Sequence, residues 1–401
     1  MAFGLNKAKF SPIAIDFGAD SLKLLQVVPG EPPQLVAAAA VTIPGEARAE
    51  KSARLSFLGS ALRQLLKAQE FRGRRAICSI PAFQTMVQHV ELPRAEAGDP
   101  QQQLNLHLME RFNVDPARLV IRTAHVGQRQ QNGATMREVL CLAAPRDVVM
   151  SYIRIAEEAK IEVVGMHSEP PAIVKGFEQL YNRRADDQKQ VRCFIDIGAA
   201  TTKVVIAQGH TMVFAKTINA AGDHLTHQLA EARSLTFDEA RSSRTNEGVG
   251  IAPPPGLAPS DESPTGRERR VNAIEHRETG LAVLDARPAS QTEPEPEAAT
   301  PKHPEETLEI LTDELKMCVR HYNSMHGDRP IDRLVFLGGE ARHTATCQAI
   351  ARQLRIAAQL GDPFARLVRI GGAKHAPGVN LDEPQPGWAV PFGLCHSEAN
   401  L

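Results

Sequence analysis

Two short stretches carry the residues best suited to chemistry. Ile15-Asp16-Phe17-Gly18-Ala19-Asp20-Ser21-Leu22-Lys23-Leu24-Leu25 reappears as Ile195-Asp196-Ile197-Gly198-Ala199-Ala200-Thr201-Thr202-Lys203-Val204-Val205. Ile, Asp, Gly, Ala and Lys hold the same places in both. Gly18 and Gly198 let the backbone turn and approach an oxygen-rich ligand. The N–H groups that follow, from Ala19 and Ala199 onward, can point at phosphate oxygens, as can the hydroxyls of Ser21, Thr201 and Thr202. Lys23 and Lys203 can add positive charge. Asp16 and Asp196 are wrong for phosphate but right for Mg²⁺, which takes few carboxylates and keeps several waters. One such turn between strands is usually structural. Two matching copies suggest related half-domains that grip one nucleotide between them.

The surrounding elements must position these turns. β-branched and aromatic residues lead into each aspartate, so each copy reads strand, tight turn, strand. Near the end of the chain, Leu334-Val335-Phe336-Leu337 reads as a buried strand. Gly338-Gly339 and Glu340-Ala341-Arg342 follow it, then a helical pattern through Ile350 and Leu354. A diglycine between strand and helix permits close approach to a flat ligand such as a nucleoside. Thr307 to Tyr322 has the apolar spacing of an amphipathic helix. From Thr85 onward the pattern is β-α-β-β-α-β. It runs through a strand to Leu92, a helix from Gln101 to Phe112, strands at Leu119 to Val126 and Glu138 to Ala143, a helix from Asp147 to Ala159, and a closing strand at Ile161 to Val164. This predicts a small α+β module inserted after the first hairpin.

Composition narrows the class. The chain has 401 residues, enough for two or more lobes, and a formal net charge of −1 that advertises no nucleic-acid binding. Aromatic content is 4%, low for a base-stacking platform. No apolar run reaches membrane-spanning length, and no basic leader with an apolar core precedes the first strand. The six cysteines stand singly, mostly within apolar runs, as expected of reduced thiols in a cytosolic protein and not of a zinc site. Residues 242–306 contain ten prolines and no aromatic residue, which predicts a disordered insertion.

In this order the motifs resemble the phosphate 1, phosphate 2 and adenosine motifs of actin-like ATPases. Glu169-Pro170-Pro171-Ala172, with Gly176 beyond it, resembles the connecting helix of that superfamily. Trp388-Ala389-Val390-Pro391-Phe392-Gly393-Leu394 resembles its second connecting segment. The small inserted module is similar to the 1C subdomain of the FtsA-like branch. Within that branch the chain resembles the PilM family of type IV pilus assembly. That resemblance rests on Phe3-Gly4-Leu5, Ser79-Ile80-Pro81, Ala144-Pro145-Arg146-Asp147-Val148-Val149, Ala221-Gly222-Asp223-His224-Leu225-Thr226 and Gly361-Asp362-Pro363-Phe364.

The resemblance implies an α/β, two-lobed actin-like (ribonuclease H-like) ATPase fold with an inserted 1C-type subdomain. The expected layout is a flexible tail over residues 1–10 and a first lobe over 11–83 and 165–190. The module then covers 84–164, the second lobe 191–241 and 307–401, and the insertion 242–306. ATP with Mg²⁺ would sit in the cleft, the metal on Asp16 and Asp196. Gly222, Asp223, Glu239 and Arg241 would join the hairpins around the nucleotide, with Gly338, Gly339, Glu340 and Arg342 at the adenosine. Glu169 is the carboxylate offered for orienting a hydrolytic water; its plainer reading is an N-terminal carboxylate stabilised by the helix dipole. Turnover is expected to be slow or absent.

The implied role is a cytoplasmic, nucleotide-gated scaffold of a pilus, or of a related type II secretion or competence platform. Its implied partner is the short cytoplasmic N-terminal peptide of PilN, an inner-membrane protein, bound between the module and its parent subdomain. Contact with other platform proteins or with itself is a further possibility, and the membrane is met only through partners. The alternatives are an FtsA-like filament or division protein and a small-molecule kinase of the same superfamily.

Overall fold

The computed structural model describes residues 10–93, 100–112, 115–131, 134–181, 184–247, 281–283, 304–327, 329–369 and 379–401. The expected N-terminal tail, apart from Phe10, lies outside them, as do residues 248–280 and 284–303 of the expected insertion.

The chain begins with an antiparallel meander, β1 (Ile13–Phe17), β2 (Ser21–Val28) and β3 (Gln34–Thr42). Helices α1 (Gly45–Ala49) and α2 (Lys51–Ala68) lead to β4 (Arg75–Ile80), which lies parallel to β1. The module follows: β5 (Met86–Pro93), α3 (Pro100–Phe112), β6 (Leu119–Gln131) and β7 (Ala134–Pro145). Its strands form an antiparallel sheet in the order β5-β7-β6. Then come α4 (Arg146–Glu158), β8 (Glu162–Ser168) and α5 (Glu169–Tyr181).

A second meander, β9 (Val191–Ile197), β10 (Thr202–Gln208) and β11 (Thr211–Ile218), repeats the first. It is followed by α6 (Gly222–Arg233), α7 (Phe237–Glu247), β12 (Leu281–Val283) and α8 (Pro304–Met325). The chain continues through β13 (Arg333–Leu337), α9 (Thr344–Leu354), β14 (Ala358–Gly361) and β15 (Val368–Arg369), and ends with α10 (Ala389–Cys395).

The two large sheets share one plan. The first runs β15-β3-β2-β1-β4-β8, the second β11-β10-β9-β13-β14-β12. In each, the first strand of the meander pairs antiparallel with the second and parallel with a later strand. Asp16 faces Lys23 across the first hairpin, and Asp196 faces Lys203 across the second, in the same register. The repeat in the sequence is therefore a repeat of the fold.

The three largest cores among the described residues follow from the strand pattern. Strands buried on both faces read as nearly continuous apolar runs. One core fills the space between the sheets and takes in Ala172, Ile173 and Phe177 of α5 with Ala389, Val390 and Phe392 of α10. Another covers the outer face of the first sheet with α2 and α4, including Leu58, Leu62, Tyr152 and Ile155. The third packs α8 and α9 on the second sheet, including Leu311, Leu315 and Ile350. All six cysteines are buried and free.

Three boundaries differ from the expected layout. Strand β8 pairs with β4 of the first large sheet, not with the module, and α4 packs on that sheet's outer core. The module is therefore β5-α3-β6-β7. The apolar periodicity of α4 and β8 was real, but periodicity does not say which sheet a strand joins. Beyond Gly361 the chain also leaves the second lobe. β15 pairs with β3, and Asn400 bonds both N–H and carbonyl of Met166 on β8. Finally, α7 runs past residue 242, and Leu281–Val283 adds a strand to β14 at the edge of the second sheet.

The sheets are held together where α5 crosses α10. A Cβ on Gly393 would lie 1.7 Å from the Ala172 carbonyl oxygen, and one on Gly176 would lie 2.7 Å from that of Ala389. Only glycine permits this approach. In an exposed helix, Gly→Ala gains about 1 kcal/mol of propensity. Here overpacking against backbone outweighs it, so Gly393→Ala should lower stability by roughly 3 kcal/mol. Gly59→Ala, whose Cβ would meet only ordinary contacts at 3.8 Å or more, should be neutral or stabilising. Thermal melting of the two variants checks both signs.

Candidate functional site

The two hairpins open onto one cavity of about 610 Å³. Asp16, Gly18, Ala19, Ser21 and Lys23 line it from the first lobe, and Asp196, Gly198, Ala199, Thr201 and Lys203 from the second. Glu169, Asp223, Arg241, Gly338, Gly339, Glu340 and Arg342 complete the predicted residues on its wall. The turns are built alike: a Cβ on Gly18 would meet the Ser21 carbonyl at 3.0 Å, and one on Gly198 the Thr201 carbonyl at 3.0 Å.

Three predicted residues stand off the wall. Thr202 is fully buried and donates from Oγ1 to the Ala220 carbonyl at 2.6 Å. The Gly222 carbonyl accepts from Arg244 Nη1 at 2.9 Å. Glu239 is exposed and caps α7, accepting from Thr236 N at 2.8 Å and Thr236 Oγ1 at 2.7 Å.

Gly338 docks the third motif onto the second hairpin. Its φ is +88°, and a Cβ there would lie 2.2 Å from the Ile197 carbonyl and 2.5 Å from Asp196 Oδ1. Both the conformation and the contact exclude a side chain. Gly339 begins a short 3₁₀ turn that ends at Arg342. Pro386, Gly387 and Trp388 also face the cavity, and the Pro386 carbonyl accepts from Gly338 N at 3.1 Å.

The floor is a buried charge cluster. Lys203 Nζ lies 2.8 Å from Glu169 Oε2 and 3.2 Å from Asp196 Oδ2. Glu169 Oε1 accepts from Ala82 N at 2.8 Å, so both its oxygens are engaged. Asp16 accepts from Ser79 Oγ at 2.8 Å. Burial pushes Asp16 from 3.8 up to about 6, against the pull of Lys23 and with the charge of Glu169 adding to the rise. Burial raises Asp196 too, opposed by Lys203. Burial disfavours the Lys203 ammonium, but Asp196 and Glu169 outweigh it and hold the group above its ordinary range. Among the described residues Lys23 forms no salt bridge.

The rim carries ion pairs across the cleft. Arg48 Nη1 of α1 lies 3.1 Å from Asp20 Oδ1 and 3.2 Å from Asp223 Oδ2 of α6. Arg241 Nη2 of α7 reaches Asp20 Oδ2 at 2.6 Å. Arg241, expected at the nucleoside, thus ties the lobes together. Arg244, one turn further on, pairs with Glu340 and donates to Thr226 Oγ1 at 2.7 Å. Sequence reading missed Arg244 because the Pro-rich composition placed it in the insertion. The i, i+3 spacing of Arg241 and Arg244 was the available signal that one helix face continues.

A family model described as type IV pilus assembly protein PilM matches residues 14–252, more than half of the sequence. The chain belongs to the PilM family. A second family model, described as cell division protein FtsA, matches residues 193–381. The solved PilM–PilN type IV pilus biogenesis complex is 19% identical and covers 96% of this chain and 97% of its own, with a TM-score of 0.68. This establishes the actin-like ATPase fold. The ethanolamine utilization protein EutJ from Carboxydothermus hydrogenoformans overlays more loosely, at 13% identity, 97% and 89% coverage and a TM-score of 0.48. No curated protein matches the chain.

Two outcomes test the floor. The folded chain holds the Asp16 proton up to about pH 6, the unfolded chain only to about 3.8. The native state therefore binds more protons across that window, and stability falls as pH rises through it. Asp16→Asn should lessen this slope, to which Asp196 also contributes, and stabilise the ligand-free protein at pH 7 by roughly 3 kcal/mol, as denaturant titrations at pH 4 to 7 would show. Lys203→Met leaves two buried carboxylates uncompensated and should cost about 3 kcal/mol or more in the same assay.

Proposed function

We propose that the chain is an ATP-binding scaffold of the type IV pilus inner-membrane assembly platform. Its nucleotide state gates a groove for a PilN-like peptide. The observation that carries this reading is the pair of equivalent hairpins on one cavity, each with a buried aspartate whose pKa burial raises.

The donor set fits Mg-ATP. Asp16 and Asp196 would hold the ion, with water and phosphate oxygens completing its shell. Mg²⁺ would neutralise phosphate charge that the protein alone cannot. Amides of the two turns and the hydroxyls of Ser21 and Thr201 suit the phosphates. Lys23, free of salt bridges among the described residues, is the cation available to them, while Lys203 is held by its carboxylates. Gly338, Gly339, Arg244 and Arg342 would border the adenosine. Hydrolysis is slow in this reading, because both oxygens of Glu169 already accept hydrogen bonds.

The groove of about 320 Å³ between the module and the first lobe suits the partner. Val120, Ile121 and Leu142 of the module face Val149, Ile153 and Met166 of the parent subdomain, with Arg122 and Arg146 also on its wall. The solved relative, named as a PilM–PilN complex, supports a PilN-like occupant. In this reading the scaffold is cytoplasmic and reaches the inner membrane through partners; no helix among the described residues is long and apolar enough to cross a membrane.

The gate has a route. His89 of β5 stacks on Phe214 of β11, with ring centroids 4.8 Å apart, and its Nε2 accepts from Ala215 N at 3.4 Å. The module thus touches the second lobe. Taking a closed cleft from 1% to 99% requires about 5.5 kcal/mol of preferential binding, within reach of two sets of charge-assisted contacts.

Calorimetry with Mg-ATP should show binding by the wild type and at least about ten-fold weaker binding by Asp196→Ala and Lys23→Ala. Wild-type affinity in both variants would sink the site. A labelled PilN-like N-terminal peptide should bind with an affinity that ATP changes, and Ile153→Glu should abolish it. No peptide binding with or without ATP would overturn the scaffold reading.

A further inference from the structure

The two hairpins are braced from behind by different chemistry. In the second, the Gly198 carbonyl accepts from Gly222 N at 3.1 Å, and the Ala199 carbonyl from Asp223 N at 2.8 Å. The first turn of α6 supplies both donors. In the first hairpin a side chain takes that place. Arg54 of α2 donates from Nη1 to the Ala19 carbonyl at 2.8 Å and from Nη2 to the Gly18 carbonyl. Gly18 and Ala19 are the counterparts of Gly198 and Ala199 in the repeat. One guanidinium makes the pair of bonds that two successive amides make in the other lobe.

Arg54 is held for this task. It is 5% exposed, and its guanidinium lies over the Phe83 ring, 5.2 Å from the centroid. It sits in the first turn of α2, where Glu50 caps the helix by accepting from Ser52 N at 3.0 Å and Ala53 N at 2.7 Å. Arg54 itself does not line the cavity; Gly18, Ala19 and Asp20 do. A trans peptide unit points its carbonyl and the following N–H in opposite directions. Fixing the carbonyls of Gly18 and Ala19 toward Arg54 therefore turns the amides of Ala19 and Asp20 away from it. A guanidinium offers two donors in a rigid fork, which an ammonium does not.

We propose that Arg54 is a positioning residue for the first phosphate hairpin, setting the amides of Ala19 and Asp20 as α6 sets those of the second. This rests on the nucleotide reading above. The test uses the full chain and two readouts, Mg-ATP affinity by calorimetry and amide hydrogen exchange without nucleotide. Arg54→Met should weaken Mg-ATP about ten-fold or more, the loss expected for a charged hydrogen-bond pair. Arg54→Lys should lose several-fold, because it keeps the charge but not the fork. Exchange should quicken at Ala19 and Asp20 and stay unchanged at Ala199 and Ala200. A folded Arg54→Met protein with wild-type affinity and exchange overturns the proposal, as does exchange that quickens evenly across the chain. If Arg54→Met does not fold, Arg54→Lys carries the same comparison. A wild-type chain that binds no Mg-ATP overturns the nucleotide reading, and the exchange pattern then still decides whether Arg54 sets the turn.

Discussion

Glu169 is the electrical junction of the molecule. It opens α5, accepts a hydrogen bond from the backbone where β4 passes into the module, and pairs with Lys203 of the second hairpin. Lys203 in turn holds Asp196. All three side chains are buried, so separating any pair would leave a charge without water or partner, at a cost of several kcal/mol. The floor of the cleft is therefore one unit, and the first lobe, the connecting helix and the second hairpin cannot be arranged independently. Among the described residues the second lysine of the repeat forms salt bridges and the first forms none.

The rim obeys different physics. The Arg48 and Arg241 pairs also cross the cleft, but their side chains are partly exposed, at 13% to 33%. Ion pairs in contact with water contribute little and are screened by salt. The floor is buried and the α5–α10 crossing admits no Cβ, whereas the rim is partly exposed.

The module makes a further contact between the lobes. It springs from the first lobe between β4 and α4, yet it also stacks His89 on Phe214 of the second lobe. The His89 ring is itself anchored, with Nδ1 3.1 Å from Glu138 Oε1. Packed rings, and not a free linker, therefore join β5 to β11.

The duplicated hairpins were legible in the sequence because everything they need is local: a strand, a glycine, a hydroxyl and a cross-strand Asp–Lys register that the turn length dictates. The diglycine after Leu337 and the helix opening at Glu169 were legible for the same reason. Membership of sheets was not. β8 and β15 carry ordinary strand patterns, and only packing decides that they complete the first sheet. Nor could spacing foretell which lysine is neutralised, that Arg241 spans the cleft while Glu239 merely caps its helix, or that Arg54 stands behind the first turn. Those outcomes depend on groups far apart in sequence meeting where water is excluded, and there the tertiary structure alone sets which charges must pair.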